Sequence, residues 1–538
     1  MTSPAVATDR PPRTGRQTTT EPTPEPTTAP TASLGRWVGV FVLVVVCGAS
    51  ALLWFIAATW IPEMAIGIHE TAAVGAWSIL YDDHTPAFTV ILAAVGIAVL
   101  AAVGIGIGER VVTDRARRSI GDPTRPLSPR TVLAETRGVY HGEVTVTVLI
   151  PAHNEQASIG ATLDSLRAQS RPPERILVIA DNCTDDTVAV AERHGADVFE
   201  TVGNTEKKAG ALNQALSFLL DELGENDCVL VVDADTILEP VFIEVAANRM
   251  TADRGIMAVG GLFYGEERRG LLAQLQRNEY LRYSRELQRR RGRVFVLTGT
   301  ASMFRPRGLR TVAASRGTLL PGPHGKVYDT TALTEDNELT LALKTLGGLM
   351  WSPSECRVVT EVMPKWRHLW NQRLRWQRGA LENLGAYGFR SSLVRYWAQQ
   401  LGIGYSVIAL ASFWLLIALT VLSSPNWVWY PFWILIGATF VVDRAIGVWS
   451  GGWRARGLAV LIFPELLYDL FLDIVFIKGV LDITFGRNAT WGHVHHPVDD
   501  DLDPIDVTPI DLDDVDGPVH GPDPIATTDD RTLEATVA

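Results

Sequence analysis

Three apolar, β-branched runs in this chain end in carboxylates. Val144–Ile150 leads into Pro151-Ala152-His153-Asn154-Glu155. Arg175–Ala180 leads into Asp181-Asn182-Cys183-Thr184-Asp185-Asp186-Thr187, and Cys228–Val232 into Asp233-Ala234-Asp235. An Asp-x-Asp after a buried strand can present two hard oxygen ligands to a divalent cation, which would neutralise a diphosphate as it departs. Asp235 could equally cap the next helix, with Pro240 in its first turn. Thr334-Glu335-Asp336 opens a helical stretch to Leu346. Those acids either favour the positive end of a helix or supply a general base for a hydroxyl acceptor. In Gln372-Arg373-Leu374-Arg375-Trp376, residues 372, 375 and 376 share one helical face. An amide, a guanidinium and an indole there suit a diphosphate and a stacked sugar. With Trp366, Trp370 and several arginines close by, the same segment also reads as an interfacial amphipathic helix.

The elements that must position these groups alternate. The runs above and Asp197–Glu200 read as strands, and Gln156–Ala168, Thr187–His194 and Gly210–Leu223 as the helices between them. This order predicts a parallel sheet with helices on both faces. Ligands in such sheets bind beyond the carboxyl ends of the strands.

Long apolar segments flank this region. Val38–Pro62 and Thr85–Gly108 are uncharged for 25 and 24 residues, longer than the roughly 20 needed to cross a bilayer. Tyr396–Val442 is uncharged for 47 residues and is divided by Ser423-Ser424-Pro425-Asn426 into two expected spans. Gly457–Leu481 carries Glu465, Asp469, Asp473 and Lys478, so it reads either as a polar path within the membrane or as a helix lying at its surface. Arginines precede the first span and follow the second, and the loop between them has none. Both the N-terminus and the central region are therefore expected on the cytoplasmic side. The row Arg277, Arg282, Arg285, Arg289, Arg290, Arg291 and Arg293 is expected as a solvated face near anionic headgroups.

The expected organisation is a Thr/Pro-rich leader over 1–35, two transmembrane helices within 36–108, and a cytoplasmic catalytic domain over 109–395 with an interfacial helix near 365–395. Two or three transmembrane or interfacial helices would follow over 396–485, and an acidic tail over 486–538. The net charge of −12 resides in that tail. From Asp499 onward there are 13 acids and one Arg, leaving 47 acidic and 47 basic residues elsewhere. The charge therefore says little about the substrate, and no nucleic-acid partner is expected. Cys47, Cys183, Cys228 and Cys356 lack paired metal spacing and are expected as reduced thiols.

Taken in order, these motifs, with Lys208-Ala209-Gly210-Ala211-Leu212-Asn213 among them, resemble the family 2 glycosyltransferases. The membrane-bound branch that makes cellulose, hyaluronan and poly-N-acetylglucosamine is the more similar one. The resemblance covers about residues 144–380 and implies a GT-A-like α/β fold. It implies that Glu155, Asp181, Lys208 and Asp233 bind the nucleotide sugar, that Gln372 and Arg375 grip its diphosphate, and that Asp235 ligates Mg²⁺ or Mn²⁺. Asp336 would be the catalytic base, and Trp376, Thr298 and Gly299 would contact the acceptor. His153 stands where Tyr is more usual, and Thr298 where cellulose makers often have Cys. The implied reaction is inverting transfer of glucose or N-acetylglucosamine from a UDP-sugar to a polysaccharide at the cytoplasmic face of the cell membrane. The alternative is a single transfer to a membrane lipid. Accessory subunits stay unspecified.

Overall fold

The structure is a computed structural model. It describes residues 34–59, 143–423 except 225, 254, 290, 291 and 293, and 431–487, with 70–74, 77–81 and the single positions 96, 100, 103, 104 and 107. Most of the expected leader, most of the second span and nearly all of the acidic tail lie outside these residues.

The central sheet has seven strands in the order β11-β8-β10-β6-β3-β4-β5. Its parallel half is β3 (Thr145–Ala152), β4 (Arg175–Ala180), β5 (Asp197–Glu200) and β6 (Asp227–Val232). The sequence predicts these strands to within two residues, because each is a short β-branched run bounded by turn residues. β8 (Ile256–Gly260), β10 (Ala301–Phe304) and β11 (Leu349–Trp351) extend the sheet, with β10 antiparallel to both of its neighbours. A three-stranded sheet of β7 (Ile237–Leu238), β9 (Leu262–Gly265) and β12 (Arg357–Thr360) lies outside it, and the remaining strands, β1 (Glu70–Val74) and β2 (Trp77–Tyr81), form a separate hairpin.

Side chains alternate across β3. Val146, Val148 and Ile150 enter one core with Ile159, Leu163 and Leu166 of α2 (Ile159–Arg167) and Phe242, Ile243 and Ala246 of α5 (Phe242–Ala252). Leu149 enters the other with Leu212, Leu216 and Leu219 of α4 (Lys207–Glu222). The sheet is thus covered on both faces, as a parallel sheet must be, and its polar turns are left at the strand ends.

α1 (Trp37–Thr59) is the first expected span. It packs against later parts of the chain: Leu34 N–H donates to Gly385 O at 2.7 Å, and Phe41 meets Phe389 and Trp397 edge-on. The third apolar region forms α10 (Val394–Ser423) and α11 (Pro431–Gly447). Among the described residues one helix, Ser391–Ala418, is long and apolar enough to cross a bilayer, and the rest of the chain buries only 6% of its most apolar window. Ile434–Gly447 and Trp449–Leu461 pass the same test only as a pair bent by 63°.

The acidic stripe near the C-terminus faces protein. Glu465, on α13 (Phe463–Thr484), is fully buried and accepts from Asn278 Nδ2 at 2.8 Å, Arg282 Nη1 at 2.9 Å and Arg444 Nη1 at 3.2 Å. Arg444 also pairs with Asp469. Glu465 and Asp469 therefore clamp helices together, and neither sequence reading of the stripe anticipates that use. Two members of the arginine row behave likewise, Arg282 here and Arg277 with Glu267 at 3.1 Å. Arg290, Arg291 and Arg293 are not among the described residues.

Candidate active site

The turns after β3 and β4 are bonded to each other. Asn154 and Asn182 have φ of 58° and 52°, a left-handed conformation that Asn tolerates better than most side chains. Asn154 Oδ1 accepts from Thr184 N–H at 2.7 Å, Glu155 N–H donates to Thr187 Oγ1 at 2.8 Å, and His153 Nδ1 lies 2.5 Å from Asp181 O. Glu155 Oε2 accepts from Ser158 Oγ at 2.6 Å. Asp181 is buried, and its Oδ1 accepts from Thr201 Oγ1 and Asn204 Nδ2, both at 2.8 Å, and from Asn182 Nδ2 at 3.1 Å. A carboxylate with so many donors is fixed in direction.

Asn204 joins this turn to α4. Its Nδ2 also donates to Lys207 O at 2.8 Å, and a Cβ on Gly210 would stand 2.1 Å from its Oδ1. Only glycine fits there. Two residues before Gly210, Lys208 reaches the rim. Its Nζ lies 2.5 Å from Asp233 Oδ1, 3.2 Å from Glu335 Oε1 and 3.5 Å from Gly299 O. Burial alone would depress the ammonium, but Asp233 and Glu335 outweigh it and hold it above its ordinary value. Asn213 completes the motif by exchanging two 2.9 Å bonds with the backbone of Tyr328, whose buried ring lines the same cleft.

Asp233 is pushed up to about 6, first by burial and then by the charge of Asp235, with Lys208 opposing. Asp235 does not cap α5, which starts only at Phe242 with Val241 before it. A carboxylate pair that resists full ionisation with one ammonium beside it fits a divalent cation. Among the described residues no group of three His, Cys, Asp or Glu gathers to hold one alone. Two carboxylates plus substrate phosphate oxygens are a usual set for Mg²⁺.

Glu335 and Asp336 begin α8 (Glu335–Thr345). Asp336 Oδ2 accepts from Gly299 N–H at 3.0 Å and Oδ1 from Asn337 N–H at 2.7 Å. Burial and the adjacent Glu335 push Asp336 up to about 6, whereas at Glu335 burial is outweighed by Lys208, its own backbone N–H and Arg375 acting together, which hold it below its usual range. Neighbouring acids are thereby given different proton affinities. Thr298 is buried, and its hydroxyl lies 2.7 Å from that of Thr300.

The last motif lies on α9 (Trp366–Tyr387), which packs on α8 and α13. A Cβ on Gly379 would come within 2.5 Å of Thr334 Oγ1, so glycine sets the closeness of α9 to the Thr-Glu-Asp turn. Asn383 Nδ2 ties the same turn down through Thr334 O, at 3.2 Å, and Asn337 Oδ1, at 3.0 Å. Arg375 faces the cleft: its charge lowers Lys207, after burial, and opposes the rise of Asp336. Gln372 Oε1 is buried with no hydrogen-bond partner among the described residues. Trp376 stacks on Arg373, whose Cζ is 4.3 Å from the ring centre.

Lys208, Asp233, Asp235, Gly299, Asp336 and Arg375 therefore meet at one rim, with Thr298 beside them, and Asp181 and Glu155 stand in the adjoining turns. Sequence reasoning missed Asn204, Tyr328, Arg373 and Gly379 as participants. Gly379 left a signal, a glycine one helical turn beyond Trp376, whereas Asn204 left none. All four cysteines are free, as expected.

Residues 142–379 match the family described as "Glycosyltransferase like family 2", and this stretch is a glycosyltransferase family 2 domain. The chain is 25% identical over 248 residues to a poly-beta-1,6-N-acetyl-D-glucosamine synthase of Staphylococcus aureus strain COL, covering 44% of this chain and 55% of that one. It is 30% identical over 128 residues to the 4,4'-diaponeurosporenoate glycosyltransferase of strain N315, covering 23% and 34%. The match thus spans a third to just over half of the length of these relatives. A solved mannosyltransferase of Pyrobaculum calidifontis, in complex with GDP-Man and Mn²⁺, aligns over 74% of this chain and 100% of its own at 18% identity and a TM-score of 0.43.

Proposed function

We propose that this chain is an inverting, metal-dependent glycosyltransferase that extends a polysaccharide from a UDP-sugar at the cytoplasmic face of a membrane, with N-acetylglucosamine or glucose transferred. The observation that carries the reading is the Lys208 bridge. It draws the Asp-x-Asp carboxylate and the start of α8 to one rim, where Asp336 stands beside the Gly299 backbone.

In this reading Glu155 and Asp181 hold the nucleoside, and Lys208 and Asp233 orient the donor. Asp336 takes the proton of the acceptor hydroxyl as its oxygen attacks the anomeric carbon. The bond to the diphosphate oxygen breaks, and the Arg375 guanidinium and the Gln372 Nε2 group donate to the departing charge. Trp376 floors the acceptor sugar, with Thr298 and Gly299 at its edge. Asp235, with Asp233 beside it, would hold Mg²⁺ or Mn²⁺, which when bound neutralises the diphosphate as a leaving group. The exposed apolar helix Ser391–Ala418 supports a membrane location.

Kinship with the S. aureus poly-beta-1,6-N-acetyl-D-glucosamine synthase supports a polymeric product. The shorter match to the 4,4'-diaponeurosporenoate glycosyltransferase favours a second reading, one transfer to a membrane lipid. Full-length protein in detergent, given Mn²⁺ and a panel of nucleotide sugars, should release nucleoside diphosphate from UDP-N-acetylglucosamine or UDP-glucose. Product length then separates the readings: a ladder supports the polymerase, and a single lipid-linked sugar rejects it.

A further inference from the structure

Arg373 lies inside the Gln372–Trp376 motif, yet it points away from the rim and is only 3% exposed. Its Nη2 donates to Glu279 Oε2 at 2.8 Å, and the Tyr468 hydroxyl donates to the same oxygen at 2.6 Å. Its Nε and Nη1 are buried with no hydrogen-bond partner among the described residues. A buried guanidinium left with open donors is costly unless another attraction holds it. Two aromatic rings supply that attraction. The Cζ atom lies 4.3 Å from the centre of Trp376 and 5.5 Å from that of Tyr280.

Each partner comes from a different helix. Glu279 and Tyr280 lie on α6 (Leu271–Arg289), Arg373 and Trp376 on α9, and Tyr468 on α13. The α9–α13 contact continues as an aromatic seam, with Phe471 edge-on to Trp366 at 5.0 Å and to Trp370 at 5.7 Å.

We propose that Arg373 is a positioning residue that fixes the plane of the Trp376 indole, and that Glu279 and Tyr468 hold it there, so that the seating of α13 governs the acceptor floor. This rests on the reading above, in which Trp376 contacts the acceptor. A planar cation stacked on one face of the indole leaves the other face for a sugar ring and prevents the side chain from turning.

The test uses the full chain in detergent, UDP-N-acetylglucosamine as donor and a β-1,6-linked N-acetylglucosamine tetramer as acceptor. Arg373→Met keeps the length and loses the cation. It should raise the acceptor KM about tenfold, the scale of a desolvated cation–π contact, while donor KM and acceptor-independent UDP release stay within about twofold of the parent. Arg373→Lys, which retains the charge but not the plane, should recover only part of the loss. Trp376→Ala should raise the acceptor KM at least as much, and adding Arg373→Met to it should raise that KM no further. Should Arg373→Met fail to fold, Tyr468→Phe removes one hydroxyl and should raise acceptor KM about threefold. Additive losses, equal losses in donor parameters, or an unchanged acceptor KM in both Arg373→Met and Tyr468→Phe would overturn the proposal. An unchanged acceptor KM in Trp376→Ala would remove the acceptor reading of Trp376 and this inference with it. An effect in Trp376→Ala alone overturns the inference only.

Discussion

Asp336 can accept a proton only when ionised, and burial beside Glu335 places that ionisation at about 6. A raised value leaves the base protonated in mild acid, so turnover should rise with pH through about 6 and level off above it. Initial rates from pH 5 to 8 check this, and an acidic limb centred near an ordinary Asp, about 4, would contradict the environment described. Asp336→Asn keeps the shape and one of the two backbone contacts, since its amide nitrogen cannot accept a hydrogen bond, and offers no base. Transfer should fall by about 10² to 10⁴ while UDP binding, followed by calorimetry, persists. Retention of activity would exclude Asp336 as the base. Asn213 works by geometry alone. Asn213→Ala strips two bonds from the Tyr328 backbone and should lower stability by about 2 kcal/mol, visible as a lower unfolding midpoint.

At the scale of elements, the cleft depends on how closely α9 approaches α8. Gly379 and Thr334 define that approach, and a single methyl there would overlap the threonine side chain. Gly379→Ala should therefore cost about 1–3 kcal/mol as overpacking and reduce transfer more than it reduces stability, because it shifts Arg375 and Asp336 relative to one another. Unfolding and activity measured on one preparation test this. Equal behaviour of parent and variant would mean that α9 tolerates displacement. Lys208 and Asn213 make α4 a second positioning helix, with Asn204 in the loop just before it.

At the scale of the whole molecule, the catalytic domain and the apolar helices share buried polar contacts. Glu465 meets Arg282 of α6 and Arg444 of α11 in a site where the carboxylate has no exposure. Removing one member of such a cluster strands the others, so Glu465→Leu should destabilise by about 3–5 kcal/mol. Thermal unfolding in detergent checks it, and an unchanged midpoint would mean that solvent reaches the arginines.

What the sequence determined follows from local physics. Strands β3 to β6 were legible because β-branched runs bounded by turn residues need no distant information. The polar turns at their ends marked the rim, since the carboxyl ends of parallel strands leave a crevice. The tertiary structure alone decided what each charge is for. Glu465 and Asp469 looked like a path or a surface stripe until arginines far along the chain proved to face them, and Arg373 could not be told from Arg375 by residue type. Asn204 is unremarkable in sequence and acquires meaning only where the Asp181 turn packs on α4. A charge's role depends on its partner and on local burial, and both are set by contacts between residues that the chain order keeps far apart.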